Sequence, residues 1–230
     1  MRLRVALTGA VLGLAITQSA LADEPWTATG EPPPAVREAV EVTVAGGYAQ
    51  GFGKIRGSGR TEIKDVAVGG IALDLGIGYR MHRSFSVQAV GQYAELTPAS
   101  SLGAGAGMRT IAGGVAGTYH FAPAQRFDPW VSLGAGYRAL YERYDAEADA
   151  TTHGFELARL VIGVDVRSGV VAIAPIVGAD ANLFVWDQRA GTHSAGSDAH
   201  LNTFVFFGIG GRFDIGADVE PPEAIASARR

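Results

Sequence analysis

The most regular stretch of the chain runs Ile71-Ala72-Leu73-Asp74-Leu75-Gly76-Ile77-Gly78-Tyr79. Every second side chain, beginning with that of Ile71, is large and apolar, and the side chains between them are small or charged. Side chains of a β-strand alternate between two faces, whereas a helix would mix these two sets. The stretch is therefore predicted to be a strand with one wholly apolar face and one face of little bulk.

The same alternation returns over residues 131–141, with Leu140 as its one exception. Six further segments alternate less regularly, and they begin at Val42, Phe85, Ile111, Leu160, Val171 and Leu201. Together these segments predict eight strands. Pro175 falls within the seventh of them, and because proline has no N–H to donate, we expect a local bulge or an unpaired position there.

The predicted connections alternate in length along the chain. Short turns are expected at residues 80–84, 122–128 and 167–169, and longer, more polar loops at residues 51–65, 97–107, 143–154 and 187–199. Short turns at one end and long loops at the other are typical of outer-membrane barrels. The predicted fold is all-β: an eight-stranded antiparallel up-and-down transmembrane β-barrel.

The second face of each strand distinguishes a membrane barrel from a soluble one. A soluble barrel places apolar side chains inside and many Lys, Glu and Thr outside, but here the second face is mostly Gly, Ala and Ser. An eight-stranded barrel is only just wide enough for side chains, so the small face is expected inside and the apolar face against lipid. Aromatic residues at the predicted strand ends fit two interfacial girdles, with core packing in a sandwich as the alternative: Tyr79, Phe85, Tyr119, Phe121 and Phe213 at one end, and Tyr48, Tyr93 and Tyr141 at the other.

The chain ends predict export. Arg2 and Arg4 precede an apolar run over residues 5–16, and Ala20 and Ala22 stand where a signal peptidase requires small residues. We expect a signal peptide over residues 1–22, with a retained membrane anchor as the alternative. A proline-rich periplasmic lead-in is expected over residues 23–39, the barrel over residues 40–214 and a periplasmic tail over residues 215–230. The expected location is the outer membrane.

Composition excludes some classes of protein. The chain has 0 Cys, so no disulfide framework is possible. The formal net charge is -4, and no basic run is interleaved with aromatic residues, so a nucleic-acid partner is not expected.

Two segments carry a resemblance to a known family. Residues 127–137, FDPWVSLGAGY, and residues 206–213, FFGIGGRF, resemble strands of small bacterial outer-membrane β-barrel proteins of the OmpA/OmpX-like eight-stranded family. The resemblance implies outer-membrane lipid and lipopolysaccharide as surroundings, and recognition of the last strand by the barrel-assembly machinery. In that family the signal usually stands at the extreme C-terminus, whereas here residues 214–230 follow it.

Strand parity assigns several charged side chains to the barrel interior. Because both signs occur, and buried charges persist only when paired, a salt-bridged plug is favoured over an ion pathway. Four of these residues are expected near mid-height or above and four nearer the periplasm. The predicted lumen network is Asp74, Arg138, Arg159 and Asp180 in the first group, and Glu41, Arg80, Asp165 and Arg212 in the second.

Other candidate sites lack the spacing that their chemistry needs. His153, His193 and His200 fall on or beside two long loops, but without a compact metal-ligand spacing, so neither a metal nor a cofactor is expected. His193, Ser194 and Asp198 are the nearest approach to a catalytic set, yet adjacent residues of a strand point to opposite faces. The glycine run over residues 103–107 lacks the Lys-Ser/Thr ending of a phosphate loop.

The sequence therefore predicts a non-enzymatic barrel with a structural or surface-interaction role carried by its long loops. Two alternatives stay open. One is a lipid-modifying hydrolase at the outer rim, and the other is a small-solute channel. The extracellular partner is not specified by the sequence.

Overall fold

The computed structural model describes residues 35–55, 62–102, 105–144, 148–168, 170–189, 192–216 and 218–220, without the side chains of residues 35, 101, 193–198 and 218–220. The predicted signal peptide, residues 23–34 of the predicted lead-in and the tail from residue 221 lie outside these ranges.

Eight of the strands close into a barrel in which each strand is antiparallel to its neighbours in chain order, and β9 pairs back onto β2. This arrangement confirms the predicted fold. The strands are β1 (Ala35–Arg37), β2 (Ala39–Gly53), β3 (Ala67–His82), β4 (Phe85–Pro98), β5 (Gly107–His120), β6 (Phe127–Arg143), β7 (Ala150–Ser168), β8 (Val171–Arg189), β9 (Thr192–Ile215) and β10 (Asp218–Glu220).

Strands β1 and β10 form a separate two-stranded sheet beside the lower end of the barrel, which is the end where β2 begins, β9 ends and the short turns lie. The sequence assigned these residues to the lead-in and the tail and did not predict their pairing. Val36 of β1 is buried. A short helix, α1 (Ile63–Val66), and a 3-10 turn at Ser100–Leu102 lie in the upper connections. No helix in the described ranges is long and apolar enough to cross a bilayer.

The outer face of the barrel is apolar around its whole circumference. Ile71 is 77% exposed and Ile209 is 67% exposed, and large apolar side chains of all eight barrel strands are exposed in the same way. Tyr79, Phe85, Tyr119, Phe121 and Phe213 lie on this face at the lower end, and Tyr48 and Tyr93 lie on it at the upper end. In water so large an apolar surface would drive aggregation, whereas in a bilayer it faces lipid.

The upper connections differ from the predicted loops. Strand β8 continues to Arg189 and β9 begins at Thr192, so most of the loop predicted over residues 187–199 is a hairpin. The loop predicted over residues 143–154 is also shorter, because β7 begins at Ala150. Strand β9 has 24 residues, whereas about 9–11 residues of a tilted strand cross a bilayer. The upper ends of β7, β8 and β9 therefore extend beyond the apolar belt.

Pro175 interrupts the ladder on one side only. It pairs with Ile209 of β9 on one side. On the other side, the pairing between β7 and β8 passes from Gly163↔Ile176 to Val166↔Ile173, so Val164 and Asp165 of β7 have no partners on β8. The predicted unpaired position at Pro175 is confirmed for this edge. The missing N–H of proline is its physical cause.

The barrel closes along the seam between β2 and β9, where Gly47 and Gly208 lie opposite each other. A Cβ atom built on Gly47 would lie 2.7 Å from the Gly208 Cα and closer still to the Phe207 carbonyl oxygen. Both are backbone atoms, so the two strands would have to separate to accommodate it. The neighbouring Gly46, in contrast, has no atom within 4 Å of the same position.

We predict that Gly47→Ala lowers the free energy of unfolding by about 1–3 kcal/mol, because the added methyl group forces the closing strands apart. The measurement is urea unfolding in lipid vesicles, followed by the heat-dependent gel mobility of the folded barrel. Gly46→Ala is the matched control and should leave the stability within about 0.5 kcal/mol of wild type. Equal stabilities of the two variants would contradict the close approach at this seam.

Candidate functional site

The barrel interior holds two groups of charged side chains at different heights. The lower cluster comprises Glu41, Arg80, His120, Asp128, Asp165, Arg167, Arg212 and Asp214, and the upper cluster comprises Asp74, Gln92, Arg138, Glu156, Arg159, Asp180 and Asn182. Asp74 is partly buried and every other member is buried. The eight residues of the predicted lumen network are all among them.

The lower cluster is built on two ion pairs, one between the neighbouring strands β2 and β3 and the other between β7 and β9, which are separated by β8. The Arg80 guanidinium donates to Glu41 from Nη2 at 2.6 Å and from Nε at 3.2 Å, and both side chains are fully buried. Arg212 pairs with Asp165, which also accepts a hydrogen bond of 2.7 Å from the Trp130 indole. These contacts satisfy charges that would otherwise be very costly to bury.

His120 connects the two ion pairs. Its Nδ1 lies 2.8 Å from Asp128 Oδ2, and its Nε2 lies 3.2 Å from both Arg80 Nη2 and Arg212 Nη1. Because a guanidinium can only donate, Nε2 must accept and Nδ1 must carry the proton that is donated to Asp128. The contacts therefore fit a neutral imidazole.

His120, Asp128 and Asp165 also satisfy the distances of a metal site, since one ligand atom from each lies within 4.8 Å of the others. However, Arg212 contacts both His120 and Asp165, and Arg80 contacts His120. A divalent cation would have to displace these guanidinium groups. The arrangement is that of an ion-pair network.

The upper cluster is organised around Arg138. Its guanidinium donates to Asp180 at 2.6 Å, to Glu156 at 2.9 Å and to Gln92 at 3.0 Å. Further bonds go to Asn182 at 3.1 Å and Thr110 at 3.3 Å. The Phe204 ring covers one face of the guanidinium, with its centroid 4.6 Å from Cζ. Arg138 of β6 is thus bonded to side chains of four other strands, β4, β5, β7 and β8, and reaches across the lumen.

Arg159 and Asp74 form the third ion pair of this cluster, beside the two that Arg138 makes with Glu156 and Asp180. Gln92 Nε2 donates to Asp74 Oδ2 at 3.1 Å, while its carbonyl oxygen accepts from Arg138. The three ion pairs of the upper cluster therefore belong to one hydrogen-bonded network.

Two kinds of filling surround the clusters. Above Arg138 lies an apolar core, to which α1 contributes Ile63 and Val66 and which also contains Ile55, Leu96, Met108, Leu140, Phe184 and Phe204. Between the two clusters lies a cavity of about 80 Å³, lined in part by Gln88, Ser132, Asp74, Arg159, Asp165 and Arg212. A cavity of this size admits a few water molecules.

Five charged or titratable members of the clusters were not predicted: His120, Asp128, Glu156, Arg167 and Asp214. Strand parity alone could have found His120 and Asp128, but Asp128 was assigned to a turn and β6 begins at Phe127. Glu156 is different, because irregular pairing between β7 and its neighbours near Glu156 and Ala158 reverses the alternation. Counting back from Arg159 by twos would have placed Glu156 outside.

The other candidates from the sequence lie away from these clusters. His153 is on the outer face, where it contacts the Tyr137 hydroxyl and stacks on Trp186 with ring centroids 5.6 Å apart. The side chains of His193, Ser194 and Asp198 are outside the described part of the structure.

Comparisons with known proteins identify the fold. No protein-family profile and no curated protein matches the chain. Among solved structures, Neisserial surface protein A superposes with a TM-score of 0.53 at 11% identity, over 76% of this chain and 97% of that one. The outer membrane protein OprG from Pseudomonas aeruginosa gives a TM-score of 0.46 at 12% identity, over 77% and 97%. Together with the closed antiparallel barrel and its apolar outer face, the likeness to the first of these identifies the chain as a small eight-stranded β-barrel of the outer-membrane type.

Proposed function

We propose that the chain is an integral outer-membrane protein with a closed lumen, which acts through the surface that it presents beyond the bilayer. The observation that carries the proposal is the upper cluster, in which Arg138 hydrogen-bonds side chains of several strands across the interior at mid-height. A barrel filled in this way leaves its outer ends and its outer face as surfaces for contact.

Side chains fill most of the lumen in the described ranges. The lower cluster, the small cavity, the upper cluster and the apolar core follow one another from the lower to the upper end. Eight strands leave little room beyond that which side chains occupy. This order favours a plug over the alternative of a small-solute channel.

The projecting strands are the surface that we propose for contact. Strands β8 and β9 are paired as far as Arg189↔Thr192, well above the exposed apolar belt. A paired hairpin holds its backbone in a fixed arrangement, which lowers the entropy cost of binding compared with a flexible loop. If the chain is exported by its signal peptide, the lower end, where β2 begins and β9 ends, would face the periplasm. This hairpin, at the opposite end, would then lie outside the cell.

The alternative of a hydrolase has less support. Among the described residues, the hydrogen bonds of histidine side chains involve Asp128, two arginines, the Tyr137 hydroxyl and the Ser84 amide. None of these joins a histidine to a serine or threonine hydroxyl, as nucleophilic catalysis of that type requires.

We predict that the purified protein shows no conductance steps of the size given by a general porin, because side chains block the lumen both above and below the small cavity. The measurement is single-channel recording in planar bilayers, with a general porin added to the same bilayer as the positive control. Currents comparable to those of the porin would overturn the plug.

Replacing Arg138 tests the stability of the plug. Arg138→Met should lower the free energy of unfolding by about 3–5 kcal/mol, because Glu156 and Asp180 would remain buried without a cation. The triple variant Arg138→Met/Glu156→Gln/Asp180→Asn removes these charges together and should recover much of the loss. Urea unfolding in vesicles gives both values, and a triple variant no more stable than the single one would contradict the charge argument.

Labelling of single cysteines tests which end faces outwards, since the chain has 0 Cys of its own. Thr192→Cys on the projecting hairpin should react with a membrane-impermeant maleimide on intact cells. Arg126→Cys, in a lower turn, should react only after the outer membrane is permeabilised. Both native side chains are exposed, so accessibility within the fold is matched. The reverse pattern would contradict the proposed orientation.

A further inference from the structure

A cleft lies on the outer face at the upper ends of β4, β5, β6 and β7. Its lining includes the side chains of Glu95, Arg109, Tyr141, Arg143, Asp149 and Thr151, which we call the rim cleft. Cross-strand pairing places Glu95 beside Arg109, Arg109 beside Tyr141 and Tyr141 beside Thr151. The exposed side chains of Tyr93, two residues before Glu95, and Ile111, two residues after Arg109, lie just below the cleft, which therefore stands at the upper border of the apolar belt.

Two guanidinium groups of the rim cleft have donors to offer. Arg109 lies over the Tyr141 ring, with Cζ 5.1 Å from its centroid. Arg143 lies over Gly107, whose added Cβ would be 3.5 Å from its Nε and Nη2. No ion pair involves either arginine within the described residues. Planar guanidinium groups with free N–H donors bind phosphate in a bidentate manner.

Two carboxylates, of Glu95 and Asp149, line the rim cleft beside these donors and can accept hydrogen bonds. The Glu95 carboxylate receives the Tyr93 hydroxyl at 2.5 Å, and Asp149 lines the cleft from the β7 side. An isolated anion would be repelled by the two carboxylates, and an isolated cation by the two guanidinium groups. A sugar that carries a phosphate suits both, because its hydroxyls donate to carboxylates while its phosphate accepts from arginine.

The volume and surroundings of the cleft narrow the class of ligand. Its volume of about 210 Å³ is well above that needed for a single water molecule and leaves room for one sugar unit with its phosphate. Below the cleft, beyond the side chains of Tyr93 and Ile111, the outer face is depressed at Gly91 and Gly113, where an added Cβ would find no atom closer than 3.8 Å. A hydrocarbon chain can lie in this depression, so the ligand is taken from the bilayer.

We propose that the rim cleft binds the phosphorylated sugar headgroup of a glycolipid in the outer leaflet, with an acyl chain over Gly91 and Gly113. The inference rests on the proposed function, because only the proposed orientation places this rim in the outer leaflet. Arg109 and Arg143 hold the phosphate, the carboxylates of Glu95 and Asp149 accept sugar hydroxyls, and the ring of Tyr141 supports the first guanidinium.

The test is binding of diphosphorylated lipid A by the folded full-length protein in detergent, measured by native mass spectrometry. Arg109→Gln/Arg143→Gln should weaken binding by about tenfold, since each arginine supplies charge-assisted hydrogen bonds to phosphate. The control Arg83→Gln/Arg126→Gln removes two cations from the lower turns and should bind as wild type does. Unchanged affinity in the cleft variant, or an equal loss in the control, would overturn the proposal.

Two further arms identify the source of the phosphate and the place of the chain. Lipid A without phosphates should bind the wild-type protein weakly. Its affinity should equal the reduced affinity of diphosphorylated lipid A for the cleft variant. Inorganic phosphate that binds as tightly as the lipid would overturn a membrane source. Gly113→Leu fills the depression without touching the cleft and should also weaken lipid binding; unchanged binding would overturn the position of the chain.

Failure of this inference is distinguishable from failure of the proposed function. The heat-dependent gel mobility and the cysteine labelling pattern report the inserted barrel and its orientation, whatever lipid A does. If both are as expected and lipid A binding is unaffected by the cleft variant, the proposed function stands and the glycolipid site is rejected.

Discussion

Backbone hydrogen bonding in hydrocarbon is the constraint on which the rest of this structure depends. No water is available inside a bilayer to satisfy an unpaired N–H or C=O, so the sheet has to close on itself. Closure with eight strands then limits the interior to about the width of its own side chains. The small residues of the inner face, and the few long charged ones between them, follow from that limit. Even the gap at Pro175 is confined to one edge of one strand.

Charge burial is the second consequence of a narrow lumen. Arg80, Arg138 and Arg212 each reach a carboxylate on another strand, so the ion pairs cross-link the barrel wall from within. Desolvation offsets much of the attraction within such pairs, whereas removing one partner leaves an uncompensated buried charge, so each member depends on the other being present. The division into two clusters separated by a small cavity gives the interior two independent sets of partners.

Alternation over residues 71–79 and the seven other segments was sufficient to predict eight strands, because a period of two is a property of the strand itself. The small second face of these strands was needed to predict a membrane barrel rather than a soluble one. Alternation also assigned Asp74, Arg138 and Asp180 to the interior. The same rule could not place Glu156, because the irregular pairing near Ala158 shifts the alternation by one residue. Nor could it show that residues 187–199 pair as a hairpin. A strand exposed to water on both faces carries polar side chains at every position, and a loop has the same sequence pattern. The partners within each cluster depend on distances around the barrel, which a single strand does not contain.

The seam between β2 and β9 has a consequence for the rate of folding. It joins Val40 to Ile215, residues separated by almost the whole described chain, and no shorter pairing can close the cylinder. Contacts so distant in sequence form late and make folding slow, since a large loop entropy must be lost first. Until the final strand arrives, both seam edges expose unpaired backbone groups that could bind another chain. The period between synthesis and closure is therefore when this protein most needs a chaperone.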